Sequence, residues 1–399
     1  MIIAGAAPRR DLHSGAPHVS WQTVRIAYYN LTTTTKHGGV ESFVWEAARY
    51  AAATGHSPTI FGGTGAQLRA APGVAIRQFP YIARETWGRA RPLRASLNLL
   101  KLLERASFAA RALPALANGK FDLIQISKPY DLPWSAHARQ WSGARVVYNA
   151  QGTDFWPGDA LFRKTVDAAF SCSTYNAQMV ARRYMWPLDV SYNGFDATTF
   201  QPRTPDTTLR ARYAAPGSFV LLYVGRLVTF KGLDYLLDAL ALTAPRLRVA
   251  PTLLLAGDGP HRSKLEARAA RLGISDLVRF VGPQPNAELP AFHAISDAFV
   301  LPSTDHETFG IAACEAMGCA RPVIAARTGG LPEVVRDGET GLLVPPADAS
   351  ALANAIVTLA EDAALRAQMG SNGRAWVTSM FTWEAVMQRV WRSYERALA

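Results

Sequence analysis

From Val24 to the C-terminus, short β-branched and aliphatic runs alternate with helix-period stretches. That alternation restricts the chain to parallel sheets covered on both faces by helices. Predicted strands are Val24–Tyr29, Ser57–Phe61, Val74–Phe79, Asp122–Ile126 and Arg145–Asn149. A second set comprises Phe219–Val224, Thr252–Ala256, Val278–Val281, Ala298–Leu301 and Pro322–Ala325. Helical patterns lie between them, at Ser42–Ala53, Leu233–Leu242, Lys264–Leu272 and Ala351–Leu359. Twice five strands in 399 residues predicts an α/β protein of two Rossmann-like, doubly wound domains. Residues 1–22 lack periodicity and a secretory-type apolar core, and are expected to form a flexible N-terminal tail. Residues 23–200 make the first domain and 201–380 the second. The boundary falls at Phe200–Pro216, where Pro202, Pro205 and Pro216 cluster. Residues 381–399 hold a final helix, Trp383–Leu398, with Trp383, Val386, Met387, Val390, Trp391 and Tyr394 on one face.

Composition excludes several classes. No apolar run reaches the length of about 18 residues that a membrane span needs. Cys172, Cys314 and Cys319 show neither zinc-type nor redox spacing, so a reducing cytoplasm is the expected setting. The net charge of +11 is uneven: residues 1–200 carry 22 Lys/Arg against 12 Asp/Glu, and residues 201–399 carry 20 against 19. The excess concentrates at Arg84, Arg89, Arg91, Arg94, Lys101, Arg105 and Arg111, interleaved with Leu93, Leu97, Leu100, Leu103 and Phe108. This pattern predicts either a basic amphipathic helix over 84–111 lying on an anionic membrane, or a surface helix whose leucines join the core. No nucleic-acid-binding motif accompanies the charge, so nucleic acid is not an expected partner.

Ligands of open parallel sheets bind at the carboxyl ends of strands. After Phe219–Val224 come Gly225, Arg226 and, five residues on, Lys231. Arginine grips phosphate oxygens in a fork and lysine acts as a point charge, so the loop suits a diphosphate or is a solvated basic loop. Gly257 follows the next strand, in a turn open to close backbone approach, and Gly282-Pro283 follows the third. After Ala298–Leu301 comes Pro302-Ser303-Thr304-Asp305-His306-Glu307-Thr308-Phe309-Gly310-Ile311, then a helix carrying Glu315. Free N–H groups of that helix's first turn suit an anion or sugar oxygens, and a carboxylate suits a sugar diol. The alternative is that Glu307 caps the helix and Glu315 pairs with an arginine. Adjacent Asp305, His306 and Glu307 would not converge on one ion, so no metal site is expected. In the first domain, Gly38-Gly39-Val40-Glu41 forms a glycine-rich strand-to-helix turn without dinucleotide-fingerprint spacing.

In this order, these segments resemble the retaining family-4 glycosyltransferases of the GT-B fold, in which two Rossmann-like domains face a central cleft. The resemblance runs from Val24 onward. It rests on Gly38-Gly39-Val40-Glu41, Asn193-Gly194-Phe195-Asp196 with Phe200 and Pro202, and Gly225-Arg226-Leu227 with Lys231-Gly232. It continues through Glu307-Thr308-Phe309-Gly310 with Glu315-Ala316-Met317, Gly329-Gly330-Leu331-Pro332-Glu333 and Gly341-Leu342-Leu343-Val344. The resemblance implies a nucleotide-sugar donor, UDP- or GDP-linked, in the second domain and an acceptor in the first. It assigns Arg226 and Lys231 to the leaving diphosphate, Glu307 to the transferred sugar and Glu315 to the ribose hydroxyls. Thr308 and the amides of Phe309, Gly310 and Ile311 would support sugar and phosphate, with Gly38, Gly39, Gly225, Gly257, Gly282 and Pro283 shaping the donor site. No cofactor or metal is implied, and the final helix would cross back to the first domain. Two positions depart from the family pattern. Ser127 stands where members often carry a histidine, and Gln151-Gly152-Thr153-Asp154 stands for His-Gly-x-Asp. Acceptor-side candidates are therefore Ser127, Lys128, Gln151 and Asp154, and the expected acceptor is a glycan or lipid-linked precursor. The alternatives are a small soluble acceptor, a binding protein without transfer, and a non-transferase such as a sugar-nucleotide epimerase.

Overall fold

The computed structural model describes residues 23–66, 68–69, 71–88, 96–305 and 307–399. The expected tail, Met1–Gln22, lies outside them. The first sheet contains Arg25–Tyr29 (β1), Ser57–Gly63 (β2), Ala75–Phe79 (β3), Leu123–Ile126 (β4), Arg145–Ala150 (β5), Ala168–Ser171 (β6) and Asp189–Val190 (β7). The second contains Val220–Val224 (β8), Thr252–Ala256 (β9), Val278–Phe280 (β10), Ala298–Leu301 (β11), Val323–Ala326 (β12) and Gly341–Val344 (β13). The helices of the first half are Gly39–Ala53 (α1), Arg84–Trp87 (α2), Leu97–Ala117 (α3), Leu132–Ser142 (α4) and Thr174–Tyr184 (α5). Thr207–Tyr213 (α6), Leu233–Thr243 (α7), Arg262–Arg271 (α8), Leu289–Ile295 (α9) and Ile311–Gly318 (α10) follow. The last are Leu331–Val334 (α11), Ala349–Glu361 (α12), Ala363–Met380 (α13) and Trp383–Leu398 (α14).

The strand orders are β3-β2-β1-β4-β5-β6-β7 and β10-β9-β8-β11-β12-β13, parallel throughout. Each sheet reverses direction once, between β1 and β4 and between β8 and β11, and those switch points open the crevices that hold ligands. Burial on both faces explains the uninterrupted apolar strands: every residue of β9, Thr-Leu-Leu-Leu-Ala, is buried. Three strands escape the sequence pattern. β6 reads Ala-Ala-Phe-Ser, β7 has two residues, and β13 opens on a glycine. They pair because neighbours supply the register, as in Val147↔Ala168 and Val323↔Gly341.

Within Phe200–Pro216, Asp206 caps α6 by accepting from the amides of Thr208 and Leu209. Phe195 and Phe200, on its N-terminal side, pack in the core of the second domain. One expectation is corrected. Among the described residues, the basic stretch expected as one helix over 84–111 carries two separate ones. α2 ends at Trp87, and α3 starts afresh at Leu97, where the Ser96 hydroxyl accepts from the Leu99 amide. Phe108 and Leu116 of α3 are core residues, whereas Leu97 and Leu99 are exposed. Arg89, Arg91, Leu93 and Arg94 lie outside the described residues.

α14 crosses back onto the first domain. Val386, Met387, Val390 and Tyr394 are buried beside Ile26, Phe43 and Phe170, and the Tyr394 hydroxyl donates to Gln125. Gly194 makes the crossing possible, because a Cβ there would sit 2.4 Å from the Trp383 ring. Phe195 then donates its amide to the Phe381 carbonyl at 2.9 Å, joining the outgoing and returning strands of the chain.

Candidate active site

A cleft of about 590 Å³ lies between the carboxyl ends of the two sheets. Its walls are the loops after β5, β8 and β11, the first turn of α10 and the first turn of α1. Of the expected site residues, Gly39, Gln151, Asp154, Gly225, Arg226, Lys231, Glu307, Thr308, Phe309, Gly310 and Ile311 line it. Asn193, at the domain crossover, lines it too.

The loop after β8 turns at Gly225 (φ +152°) and Gly232 (φ +70°), conformations that disfavour a side chain. Its partner is the turn after β9. A Cβ on Gly257 would lie 1.9 Å from the Gly225 carbonyl oxygen, and one on Gly259 2.3 Å from that of Leu227. Those glycines let one loop pack directly on the other. The result fixes Arg226 and Lys231 at the mouth of the switch point. Arg226 is exposed, with no carboxylate partner among the described residues. Lys231 donates to Glu307 Oε2, which also accepts from Ser303 Oγ at 3.1 Å. An ammonium has three donors, so Lys231 can hold Glu307 and still offer N–H groups to an anion.

Gly310, in left-handed conformation at φ +99°, starts α10. The first intrahelical bonds are donated by Ala313 and Cys314, which leaves the earlier amides directed at the cleft. Glu315 lies one turn further, half-buried and accepting no hydrogen bond from the described residues. Burial pushes its carboxyl up to about 8, with the Asp196 carboxylate adding to the rise. Glu315 itself is not among the residues that line the cleft, as Ile311 and Ala312 of the same helix are. Gly282 and Pro283 stay on an open turn after β10, away from the cleft lining; a Cβ on Gly282 would meet nothing within 4 Å.

On the first domain, Gly38 is extended (φ 174°) and precedes α1, and a Cβ on Gly39 would be 3.2 Å from Ile311 of α10. The two glycine-flanked turns thus approach each other across the cleft. Gln151 Nε2 donates to Asn149 Oδ1 at 2.8 Å, and its carbonyl accepts from Thr308 Oγ1 at 3.4 Å. Asp154 pairs with Lys101 of α3 at 2.7 Å. Arg105 of α3 pairs with buried Asp131 at 2.8 Å, so two of the cations expected on a membrane face are turned inward. Ser127 is buried with its hydroxyl unpartnered, and neither it nor Lys128 is among the residues that line the cleft. Burial lowers the Lys128 ammonium from its usual range, and Arg105 nearby lowers it further. Sequence reading missed Lys101, Arg105 and Asp131 as members of this polar cluster, because its pairs join residues 26 and 53 positions apart.

Two family profiles match the chain. "Glycosyltransferase Family 4" covers residues 37–199 and "Glycosyl transferases group 1" covers 206–376. The chain is 38% identical over 199 residues to a GDP-mannose-dependent alpha-(1-6)-phosphatidylinositol monomannoside mannosyltransferase of Mycolicibacterium smegmatis, covering 48% of this chain and 51% of that protein. It is 39% identical over 224 residues to a D-inositol 3-phosphate glycosyltransferase of Frankia alni, covering 53% and 54%. The matches thus span about half the length of the curated relatives. Among solved structures, Anabaena Alr3699/HepE in complex with UDP superposes with TM-score 0.77 at 23% identity, covering 93% of this chain and all of that one. Sucrose-phosphate synthase from Thermosynechococcus elongatus gives TM-score 0.77 at 24% identity, covering 94% and 98%. Among the described residues no helix is long and apolar enough to cross a membrane. Profiles, relatives and fold agree that the chain belongs to the family-4 glycosyltransferases of the GT-B fold.

Proposed function

We propose that the protein transfers a sugar from a nucleoside diphosphate sugar to an acceptor hydroxyl, with retention at the anomeric carbon and without a divalent metal. The observation that carries this reading is the convergence, in one cleft, of Arg226, the Lys231–Glu307 pair and the first turn of α10. Breaking the anomeric bond leaves negative charge on the diphosphate. Arg226, Lys231 and the α10 amides are fixed where that charge develops and replace the usual metal. Glu315 takes the ribose hydroxyls, and Glu307, held by Lys231 and Ser303, meets hydroxyls of the transferred sugar. In this reading the two carboxylates among the described cleft residues are engaged by lysines, Glu307 by Lys231 and Asp154 by Lys101, and neither acts as a nucleophile. A leaving-group oxygen on the same face takes the acceptor proton, which agrees with Gln151 standing where a histidine is usual. UDP and GDP both remain as the carrier: one relative is named for GDP-mannose, and one structural neighbour holds UDP.

The acceptor is an inositol- or glycolipid-type polyol, a reading supported by the names of both curated relatives. Gln151 and Asp154 line the acceptor half of the cleft. Exposed Leu97 and Leu99 open α3 one turn before Lys101 and give a lipid-linked acceptor an apolar approach from the inner face of a membrane. Thermal-shift measurements with UDP, GDP and their sugars test the donor assignment. A ligand at 100 times its dissociation constant adds about 2.7 kcal/mol of stability. A panel without any shift would remove the proposal.

A further inference from the structure

The segment 328–334 bridges the donor loop and the opposite domain. A Cβ on Gly329 (φ +58°) would lie 1.9 Å from the Glu307 carbonyl oxygen, and one on Gly330 2.3 Å from that of Thr308. Gly330 donates its amide to the Glu307 carbonyl at 2.9 Å. The backbone that presents Glu307 and Thr308 to the cleft therefore rests directly on Gly329-Gly330. Three residues on, Glu333 reaches across the domain boundary. Its Oε2 accepts from the amide of Thr174 at 2.8 Å and its Oε1 from that of Tyr175 at 2.9 Å. These are the first two amides of α5, a helix of the first domain.

The amide accounting at the start of α5 is complete only in this arrangement. Ser173 Oγ accepts from the Asn176 amide at 3.0 Å, and the Ser173 carbonyl accepts from that of Ala177 at 2.9 Å. Thr174 and Tyr175 have no partner within their own domain; the carboxylate of Glu333 supplies both. A carboxylate on paired helix N-terminal amides is a charge-assisted contact favoured by the helix dipole. Two weaker contacts flank it: Cys172 Sγ to the Thr308 carbonyl at 3.8 Å, and Thr308 Oγ1 to the Gln151 carbonyl at 3.4 Å.

We infer that Glu333 is a positioning residue that latches the two domains closed through the N-terminus of α5 and thereby fixes the Glu307–Gly310 loop for transfer. This inference rests on the transferase reading, but its geometry stands without it. Glu333 lies outside the cleft lining, and both of its carboxylate oxygens are engaged by the α5 amides. Its removal leaves donor contacts in place and loosens closure. Water then reaches the bound donor more often, and productive turnover falls.

Hydrogen exchange on the full chain, with and without UDP or GDP, reads the latch directly. The Thr174 and Tyr175 amides should exchange about tenfold faster in Glu333→Ala than in wild type, the scale of one charge-assisted hydrogen bond. Kinetics read its consequence: kcat should fall about tenfold with donor KM nearly unchanged, and the share of donor lost to hydrolysis should rise. Thr174→Pro supplies an independent variant. It removes one latch donor at the first helical position, where proline is tolerated, after an extended Ser173 (φ −166°, ψ 161°). It should shift kcat and hydrolysis in the same direction, and it carries the test alone if Glu333→Ala does not fold. Unchanged exchange at both amides in a folded Glu333→Ala would overturn the latch. So would native kcat and hydrolysis in a folded Thr174→Pro. A wild type without transferase activity but with Glu333-dependent exchange would instead overturn the functional reading and leave the latch standing.

Discussion

Lys231 and Glu307 form an ion pair between the loops after β8 and β11, with side chains only 16% and 12% exposed. Each member neutralises the other in a site partly shielded from water, so removing one leaves a poorly solvated charge. Lys231→Ala should lower kcat about 10²–10³-fold, the scale of one lost donor to developing negative charge. The Lys231→Ala/Glu307→Ala double variant should lose less than the two single losses combined, because the pair acts as a unit. Steady-state kinetics with excess chelator complete this test. Rates should be unchanged by chelation, since the cations stand where a metal would. Strict magnesium or manganese dependence would contradict the role given to them.

Glu315 makes the empty site sensitive to pH. Its carboxyl is raised by burial to about 8, above the ordinary carboxylate range of an unfolded chain. The sign follows: the folded protein binds more protons than the unfolded one between roughly pH 4.5 and 8, so this group's contribution to stability declines as pH rises through that window. Glu315→Gln, which cannot ionise, should not share that decline, so the variant should gain stability relative to the wild type between about pH 5 and pH 8 in thermal melts without ligand. The same substitution should weaken donor binding. Ribose hydroxyls favour the ionised carboxylate, so wild-type donor affinity should rise from pH 6 to about 8 and then level. Calorimetry in buffers of different ionisation heats should show proton release on binding at pH 7. Glu315→Gln with neither effect would remove it from the ribose position.

The sheets and the cleft-lining loops were legible because each depends on local pattern. Apolar strands followed by glycine turns, and two glutamates eight positions apart on a loop and its helix, can be read along the chain. What escaped depended on distance. β6 and β7 carry little strand propensity; β6 pairs because β5 offers its edge, and β7 because β6 does. The packing of the Gly257 turn on Gly225 joins residues 32 positions apart and has no local signal. The run of arginines from 84 to 111 looked like one free face. In the fold, Arg105 turns to Asp131 and Lys101 to Asp154. Glu333 stood in the sequence beside two glycines, but only the tertiary structure sets it on α5.

Membrane contact is the acceptor-side prediction. With Lys101 and Arg105 engaged, the apolar tips that remain on α3 are Leu97 and Leu99, 58% and 39% exposed. The protein should float with vesicles rich in anionic phospholipid at low salt, and Leu97→Ser/Leu99→Ser should reduce the bound fraction several-fold. Added salt should also reduce it, since the first half of the chain carries most of the net charge. Absence of flotation at low salt would direct the search to a soluble polyol acceptor.

The most direct test of the central claim is titration calorimetry of UDP and GDP into the wild-type protein and Arg226→Ala. One of the two nucleotides should bind at one site per chain without added metal. Its affinity should drop about tenfold or more in Arg226→Ala, the loss expected for one charge-assisted phosphate contact. Failure of both nucleotides to bind, or binding that Arg226→Ala leaves unchanged, would contradict the assignment of this cleft to a nucleoside diphosphate sugar.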